Sequence, residues 1–157
     1  MTPRLAVIAV TLAVMSYPFA ASPADQGLIT KRSNYSVQET VERFENAIKT
    51  KGFMVFTEVD HAAAATKYGL DLRPRTVIVF GNPKLGTAPM QKFPTLAIDV
   101  PPKALVWQDD QGAVWLTYNS AEYLGATIYP RHGLSMPPEA RQALEQLLSE
   151  VSDQSTK

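Results

Sequence analysis

Residues 36–59 read SVQETVERFENAIKTKGFMVFTEV, a stretch in which a helical pattern gives way to a strand pattern. Ser36 and Glu39 match a capping box, in which the serine hydroxyl accepts a hydrogen bond from the third helical amide. Behind this start, apolar residues recur at helical spacing, namely Val37, Val41, Phe44 and Ile48. Gly52 ends the predicted helix, and residues 53–59 favour a strand because they are rich in aromatic and β-branched side chains.

Further strand patterns lie on both sides of this stretch, at residues 28–33, 76–80, 96–100, 104–107 and 113–118. The run 76–80 is continuously apolar, which is typical of a central strand buried on both faces. The last two strands flank the sequence Asp-Asp-Gln-Gly at residues 109–112, so they are predicted to form a hairpin.

Three more helices are predicted, at residues 61–68, at residues 121–125 and from Pro137 onward. We therefore expect one two-layer α+β domain over residues 25–152. Its sheet is largely antiparallel or mixed, and two main helices cover one face. Residues 153–157 are expected to form a flexible tail.

The N-terminus has the three-part layout of a secretory signal peptide. Arg4 supplies a positive charge, residues 5–15 are almost entirely apolar, and small residues follow at positions 20–24. The apolar run is too short for the ~20 residues that a membrane-spanning helix needs. We predict a signal peptide at residues 1–22 with cleavage near 22–24 and a periplasmic or secreted product; an uncleaved anchor is the alternative.

Composition and charge exclude several classes of function. The 157 residues contain 15 Lys and Arg, 15 Asp and Glu, and no cysteine. Without cysteine there can be no disulfide, thiolate metal site or cysteine nucleophile. The balanced charge offers no basic stripe for phosphates, so nucleic-acid binding is not expected. No cofactor and no metal are predicted.

The segment 81–87 resembles a phosphate-binding loop only in part. It spells Gly-x-x-x-x-Gly after a buried strand, but Thr87 stands where such a loop carries its lysine. Backbone amides of such a loop can still hold a small anion, or Gly and Pro serve only to turn the chain. Asn82, Gly86 and Thr87 are therefore candidate binding residues.

Asp60 and His61 join a predicted strand to a predicted helix. Asp60 suits a helix cap, whereas His61 could act as a base or bind a metal. The chain has only one other histidine, His132. A site of two histidines and one carboxylate from Asp60 or Asp99 is possible by residue type.

Asp99 lies in an otherwise apolar predicted strand. A carboxylate there either faces solvent or needs a partner, because a buried unpaired charge is costly. Arg73 and Arg75 are the candidate partners, which makes Asp99 and Arg73 candidate binding residues as well. Late aromatic residues such as Trp107 and Trp115 favour a core or a dimer interface, with a ligand pocket as the alternative.

Several motifs resemble the domain of unknown function 302 family. They are Asp60-His61, Leu72-Arg73-Pro74, Phe80-Gly81-Asn82-Pro83 with Gly86-Thr87, Ala97-Ile98-Asp99, and Trp107 with residues 112–119. The resemblance implies a compact α+β fold that tends to dimerise, and it implies no reaction. Family members often carry Arg-His soon after the Tyr-Asn segment; here Arg131-His132 follow after extra residues, 126–130.

Two hypotheses on function remain open. The first is an exported module that binds a small ligand or a partner and acts as a homodimer, since no catalytic spacing is recognisable. The alternative is an enzyme or metal-binding protein that uses His61 with Asp60, Asp99 and His132.

Overall fold

The computed structural model describes residues 27–157, so the predicted signal peptide and its cleavage site lie outside the described residues. The strands are β1 Leu28–Ser33, β2 Met54–Asp60, β3 Arg75–Gly81, β4 Lys103–Gln108 and β5 Val114–Asn119. They form one sheet with the order β1-β5-β4-β3-β2. Every neighbouring pair is antiparallel.

Two long helices and several short ones accompany the sheet. The α-helices are α1 Val37–Thr50, α2 His61–Thr66, α3 Pro83–Lys92, α4 Ala121–Tyr123 and α5 Pro138–Thr156. Helix α4 continues into a π-helical turn, Leu124–Ile128. Two short 3-10 helices complete the set, Pro94–Ile98 and Pro130–His132.

The core lies between the sheet and the pair α1 and α5. Helix α1 starts as the sequence predicts, with the Ser36 hydroxyl accepting from the Glu39 amide at 3.2 Å. Its buried face includes Phe44, which meets Phe80 of β3 edge to face at a centroid distance of 5.2 Å. Leu148 and Val151 of α5 join the same cluster. The predicted α+β class, with a sheet covered by two main helices, is confirmed.

The other face of the sheet is less well buried. Trp107 and Trp115 are paired across the β4–β5 hairpin, and their rings stack at a centroid distance of 6.2 Å. Val77, Val79 and Leu105, from neighbouring strands, are also only half-buried. An apolar stripe therefore runs across three strands of this face. Among residues 27–157, no helix is long and apolar enough to cross a membrane.

Two segments differ from the prediction, and proline explains both. Residues 96–100 are not a strand: Pro94, with its φ already fixed for a helical turn, opens a 3-10 helix, and Asp99 is its C-cap. Strand β4 starts only at Lys103, after Pro101 and Pro102, which lack the amide that a ladder requires. Similarly, segment 81–87 is not a simple turn but the start of α3, capped by Asn82 with proline at the first position.

Helix α5 also continues further than predicted. The segment 153–157, expected as a flexible tail, is helical through Thr156, and the Thr156 side chain is buried. Contacts with β1 and α1 order this end. Asp153 accepts from the Lys31 ammonium at 2.6 Å, and Arg43 donates to the Gln154 carbonyl at 2.9 Å. Such long-range partners cannot be identified from the local sequence.

Candidate functional site

An apolar cavity of about 390 Å³ lies at the end of the sheet where β3 and β5 finish and β4 begins. Phe80 and Tyr118 form its sheet side, and Leu144 and Leu148 of α5 face it from the helical layer. Its volume is within the ~300–1,000 Å³ that ligand pockets usually occupy.

Helix α3 forms one wall of this cavity, and Asn82 holds that wall in place. The Asn82 side chain caps the helix by accepting from the Lys84 amide at 2.9 Å. Its amide group also donates to the Gly52 carbonyl at 3.0 Å, which connects α3 to the turn after α1. Gly86 and Thr87 follow on the same helix and line the cavity. Three predicted binding residues therefore share one wall.

The start of α3 does not hold free amides for an anion. The amides of Leu85 and Gly86 both donate to the Asn82 carbonyl at 3.0 Å, and the Asn82 side chain occupies the Lys84 amide. The Thr87 hydroxyl donates to the Pro83 carbonyl at 2.7 Å. The hydrogen-bonding groups at the start of the helix are thus already paired within it. The wall presents mainly apolar side chains to the cavity, together with the space that the missing side chain of Gly86 leaves.

Few groups that carry a charge line the cavity. Its ionisable lining residues among those described are Lys103, Tyr118 and Tyr129. The Tyr118 hydroxyl is 3.2 Å from the Ser152 hydroxyl. Burial raises the pKa of Tyr129 above its usual range, so its phenol stays neutral and can donate a hydrogen bond. The lining suits an apolar molecule that carries no positive charge.

A polar cluster of Thr95, Asp99 and His132 lies beside the cavity. Asp99 Oδ2 and His132 Nε2 are 2.6 Å apart, and the other ring nitrogen, Nδ1, is 3.0 Å from the Thr95 hydroxyl. Only 4% of the His132 side chain is exposed. The Arg131 guanidinium is 3.6 Å from the same Asp99 oxygen. The structure thus brings together two of the predicted residues, Asp99 and His132, and adds Thr95.

The electrostatics of this cluster favour an ionised Asp99. The hydrogen bond from His132 lowers the pKa of Asp99 most, and the positive charges of Arg131 and Lys103 lower it further. Both 3-10 helices carry cavity-lining residues next to the cluster, Leu96 on one and Tyr129 at the start of the other. The cluster therefore belongs to the rim of the apolar site.

Asp60 and His61 are far from this cluster. Asp60 pairs with Thr76 of β3. Pro102, which follows Asp99 of the cluster by three residues, lies beside Phe80, four residues further along the same strand. At the usual rise this separation is roughly 14 Å. Asp60 caps α2 by accepting from the Ala63 amide at 2.9 Å, and His61 is exposed.

The candidate partners of Asp99 lie elsewhere too. Arg73 donates to Asp110 at 2.9 Å, and Arg75 donates to the Arg73 carbonyl at 3.2 Å. His132 and Arg131 take the place that the sequence analysis gave to these two arginines. Within residues 27–157, no three His, Asp or Glu side chains are grouped to hold a metal. The four-residue set around His61 therefore does not form one site.

Sequence reasoning missed Thr95 and most of the apolar lining. It includes Tyr129 only in the group of late aromatic residues for which a ligand pocket is the alternative to a core or a dimer interface. Thr95 was hidden because residues 96–100 look like a strand, and a threonine just before it has no distinctive spacing. Tyr129 reaches the cavity through the π-helical turn, in which its amide donates to the Leu124 carbonyl five residues earlier at 2.9 Å. Such a turn has no sequence signature that a single chain reveals.

Two relatives from Brucella are similar over most of this chain. They are proteins named fluoride-specific ion channel FluC 1, one from Brucella suis biovar 1 (strain 1330) and one from Brucella abortus biovar 1 (strain 9-941). Each is 46% identical over 120 residues, which is 76% of this chain. That match is 46% of the first relative and 43% of the second, so the chain spans less than half of their length.

A solved structure has a similar fold, that of an uncharacterized conserved protein DUF302 from Bacillus stearothermophilus. The TM-score is 0.68 at 20% sequence identity, and the match covers 83% of this chain and 99% of that one. The family model described as domain of unknown function DUF302 matches residues 29–151. That range contains the sheet except for Leu28, all of α1 and most of α5. It also contains every residue that lines the cavity. The chain belongs to the DUF302 family.

Proposed function

We propose that this protein is an exported domain that binds a small, mainly apolar ligand in the cavity and acts as a homodimer. The observation that carries the proposal is the cavity itself, about 390 Å³ in volume and lined mainly by apolar side chains. Its volume and apolar lining, beside the polar cluster of Thr95, Asp99 and His132, support the binding of a ligand.

The lining also limits the chemistry of the ligand. No carboxylate is among the described lining residues, and the one cation is Lys103, whose ammonium contacts the Pro101 carbonyl at 3.4 Å. A positively charged ligand would lose hydration without gaining a counter-charge. We expect an uncharged or singly anionic molecule with an aliphatic or aromatic body, whose polar end meets Lys103 or the Tyr129 phenol.

Gly86 offers a direct test of this site. A Cβ at this position would meet only the end of Met90, at 3.5 Å, which is an ordinary contact. Gly86→Trp should fill the cavity, whereas Gly86→Ala should leave it open. We expect a fluorescent apolar probe such as 1-anilinonaphthalene-8-sulfonate to bind the unmodified chain and Gly86→Ala alike, and to lose at least about tenfold in affinity with Gly86→Trp. Equal binding by all three folded proteins would contradict the proposal.

The homodimer is supported by the half-buried apolar stripe on the outer face of the sheet. Leu105, Trp107 and Trp115 lie there, and aromatic residues of this kind are enriched at interfaces. Leu105→Asp should convert a dimer into a folded monomer in native mass spectrometry. A chain that is monomeric at micromolar concentration without any substitution would remove this part of the proposal.

Export is supported by the sequence pattern of residues 1–22. Expression of the full chain in a bacterial host, followed by recovery of the periplasm, should give a protein whose mass starts near residue 23–25. A cytoplasmic product that retains Met1 or Thr2 would contradict it.

A second candidate function follows from the Brucella relatives. A segment 46% identical to this chain is part of proteins that are named as fluoride-specific ion channels. Two functions joined in one chain often act together, so this domain could serve a fluoride channel as a separate subunit. Co-purification of the tagged chain with a fluoride channel from the same cell would support this function. Unchanged fluoride tolerance of a strain that lacks the chain would contradict it.

A further inference from the structure

We propose that Thr95, His132 and Asp99 form a nucleophilic centre that accepts the acyl group of an ester on the Thr95 hydroxyl and then transfers it to water. The three side chains make one continuous hydrogen-bonded series, with 3.0 Å from Thr95 to His132 and 2.6 Å from His132 to Asp99. Hydroxyl, imidazole and carboxylate in this order are the groups that nucleophilic acyl transfer requires.

The direction of the hydrogen bonds follows from the charge of Asp99. An ionised carboxylate only accepts, so His132 must donate to it through Nε2. A neutral imidazole carries one proton, and Nδ1 is then left with a lone pair. The Thr95 hydroxyl must therefore donate to Nδ1. Its proton already lies on the hydrogen bond along which a general base would remove it.

The burial of the three groups also fits the roles of base and nucleophile. The His132 side chain is almost fully buried, and its two ring nitrogens are held by Thr95 and Asp99. Thr95 is exposed, so its hydroxyl can be reached by a substrate. Asp99 is a positioning residue, because it touches His132 and not the reacting atoms. The neighbouring Arg131 supports the negative charge of Asp99 from 3.6 Å.

The reaction balances without any further reagent except water. Thr95 Oγ1 bonds to the ester carbonyl carbon as its proton moves to His132 Nδ1. The bond from that carbon to the alcohol oxygen then breaks, and the alcohol leaves with the proton from Nδ1. Water then attacks the carbonyl carbon of the acyl-threonine as its proton moves to His132 Nδ1. The bond from that carbon to Thr95 Oγ1 breaks, Oγ1 takes the proton from Nδ1, and the carboxylic acid leaves.

The cavity defines the substrate class. Leu96 follows Thr95 directly and lines the cavity, as do Tyr129 and Leu134 on either side of His132. An acyl chain that occupied this space would have its carbonyl carbon near the rim, where Thr95 lies. We infer esters of medium-length or aromatic acids. This choice of substrate rests on the ligand site proposed above, whereas the reactivity of Thr95 does not.

The first experiment labels the full chain with a fluorophosphonate, which forms an Oγ1–P bond as the P–F bond breaks. Peptide mass spectrometry should place the adduct on Thr95. Thr95→Val removes the hydroxyl at nearly constant shape and should abolish the label, whereas Thr95→Ser should retain it. Thr66→Val is the matched control, since the Thr66 hydroxyl also bonds one partner, the Ala62 carbonyl at 3.0 Å, on the exposed helix α2.

The second experiment measures hydrolysis of p-nitrophenyl acetate and octanoate. We expect octanoate to be preferred, Thr95→Val to lower kcat on the order of 10³-fold, and Thr66→Val to match the unmodified chain. Asp99→Asn should lower kcat similarly with little change in KM, because the carboxamide donates to Nε2 and reverses the tautomer. If Asp99 had only a structural role, Asp99→Asn would alter thermal stability without lowering kcat at a nearly constant KM.

Two different results would contradict two different parts of the proposal. No adduct on Thr95, or hydrolysis by Thr95→Val at the unmodified rate, would overturn the nucleophilic centre whether or not the cavity binds a ligand. An adduct on Thr95 with equal rates for acetate and octanoate would support the centre and overturn the cavity as its acyl site.

Discussion

Replacement of Gly86 by alanine should stabilise the protein, although it adds an atom beside a cavity. Gly86 lies inside α3, Pro83–Lys92, where glycine is about 1 kcal/mol less favourable than alanine. The new Cβ would meet only Met90 Cε, at 3.5 Å, so no strain offsets the gain. We expect the free energy of unfolding to rise by about 0.5–1 kcal/mol, which for a domain of this size raises Tm by about 2–5 °C.

Gly125 provides the matched comparison, since it is also helical but closely surrounded. A Cβ there would lie 2.9 Å from Arg141 Nε and 3.3 Å from Met136 Sδ. Arg141 cannot move freely, because its guanidinium donates to Glu122 at 2.6 Å. Overpacking of this kind costs about 1–3 kcal/mol, so Gly125→Ala should lower the free energy of unfolding by about 1 kcal/mol after the gain in helix propensity.

Urea unfolding followed by tryptophan fluorescence measures both variants against the unmodified chain. Equal m-values are required before the midpoints are compared, because a changed slope would indicate a changed unfolded state. If Gly86→Ala were destabilising, or if Gly125→Ala were the more stable of the two, the packing described around α3 and the π-helical turn would be wrong.

Two further predictions concern the core and the acid response. Phe44→Ala should lower the free energy of unfolding by about 3–5 kcal/mol, because it empties a fully buried site against Phe80; calorimetry that shows a loss below about 1 kcal/mol would contradict this. The hydrogen bonds from Lys157 and Lys31 lower the pKa of Asp153 from 3.8 to about 2. Its stabilising contribution is therefore present above pH 4 and lost as the pH falls toward 2. Asp153→Asn should flatten the decline of the urea midpoint in this range, and an unchanged acid profile would show that Asp153 has the same pKa in the unfolded chain.

The candidate site was accessible to sequence reasoning only in part. Asn82, Gly86 and Thr87 were found because a Gly-x-x-x-x-Gly pattern after a buried strand has a recognisable spacing. Asp99 and His132 belong to the alternative set around His61, but the sequence does not predict their direct hydrogen bond, since 33 positions separate them. Arg73 was assigned to Asp99 on charge alone, and the structure gives it to Asp110 instead.

The sequence by itself determined the class of the fold and the local elements with strong signals. The capping box at Ser36, the helical spacing to Ile48, the apolar run of β3 and the turn between Trp107 and Trp115 are all short-range patterns, and each led to the element it predicts. Short-range patterns suffice here because helix caps, periodicity and turn chemistry act between residues a few positions apart.

Only the tertiary structure decided the strand order, the cavity and the hydrogen-bonded series of Thr95, His132 and Asp99. Each depends on which surfaces meet when distant segments pack, as when Pro102 comes to lie beside Phe80 or α3 is held by the Gly52 carbonyl. Pro94 accounts locally for the 3-10 helix Pro94–Ile98, but only the packing of distant segments brings Asp99, at the C-cap of that helix, to His132.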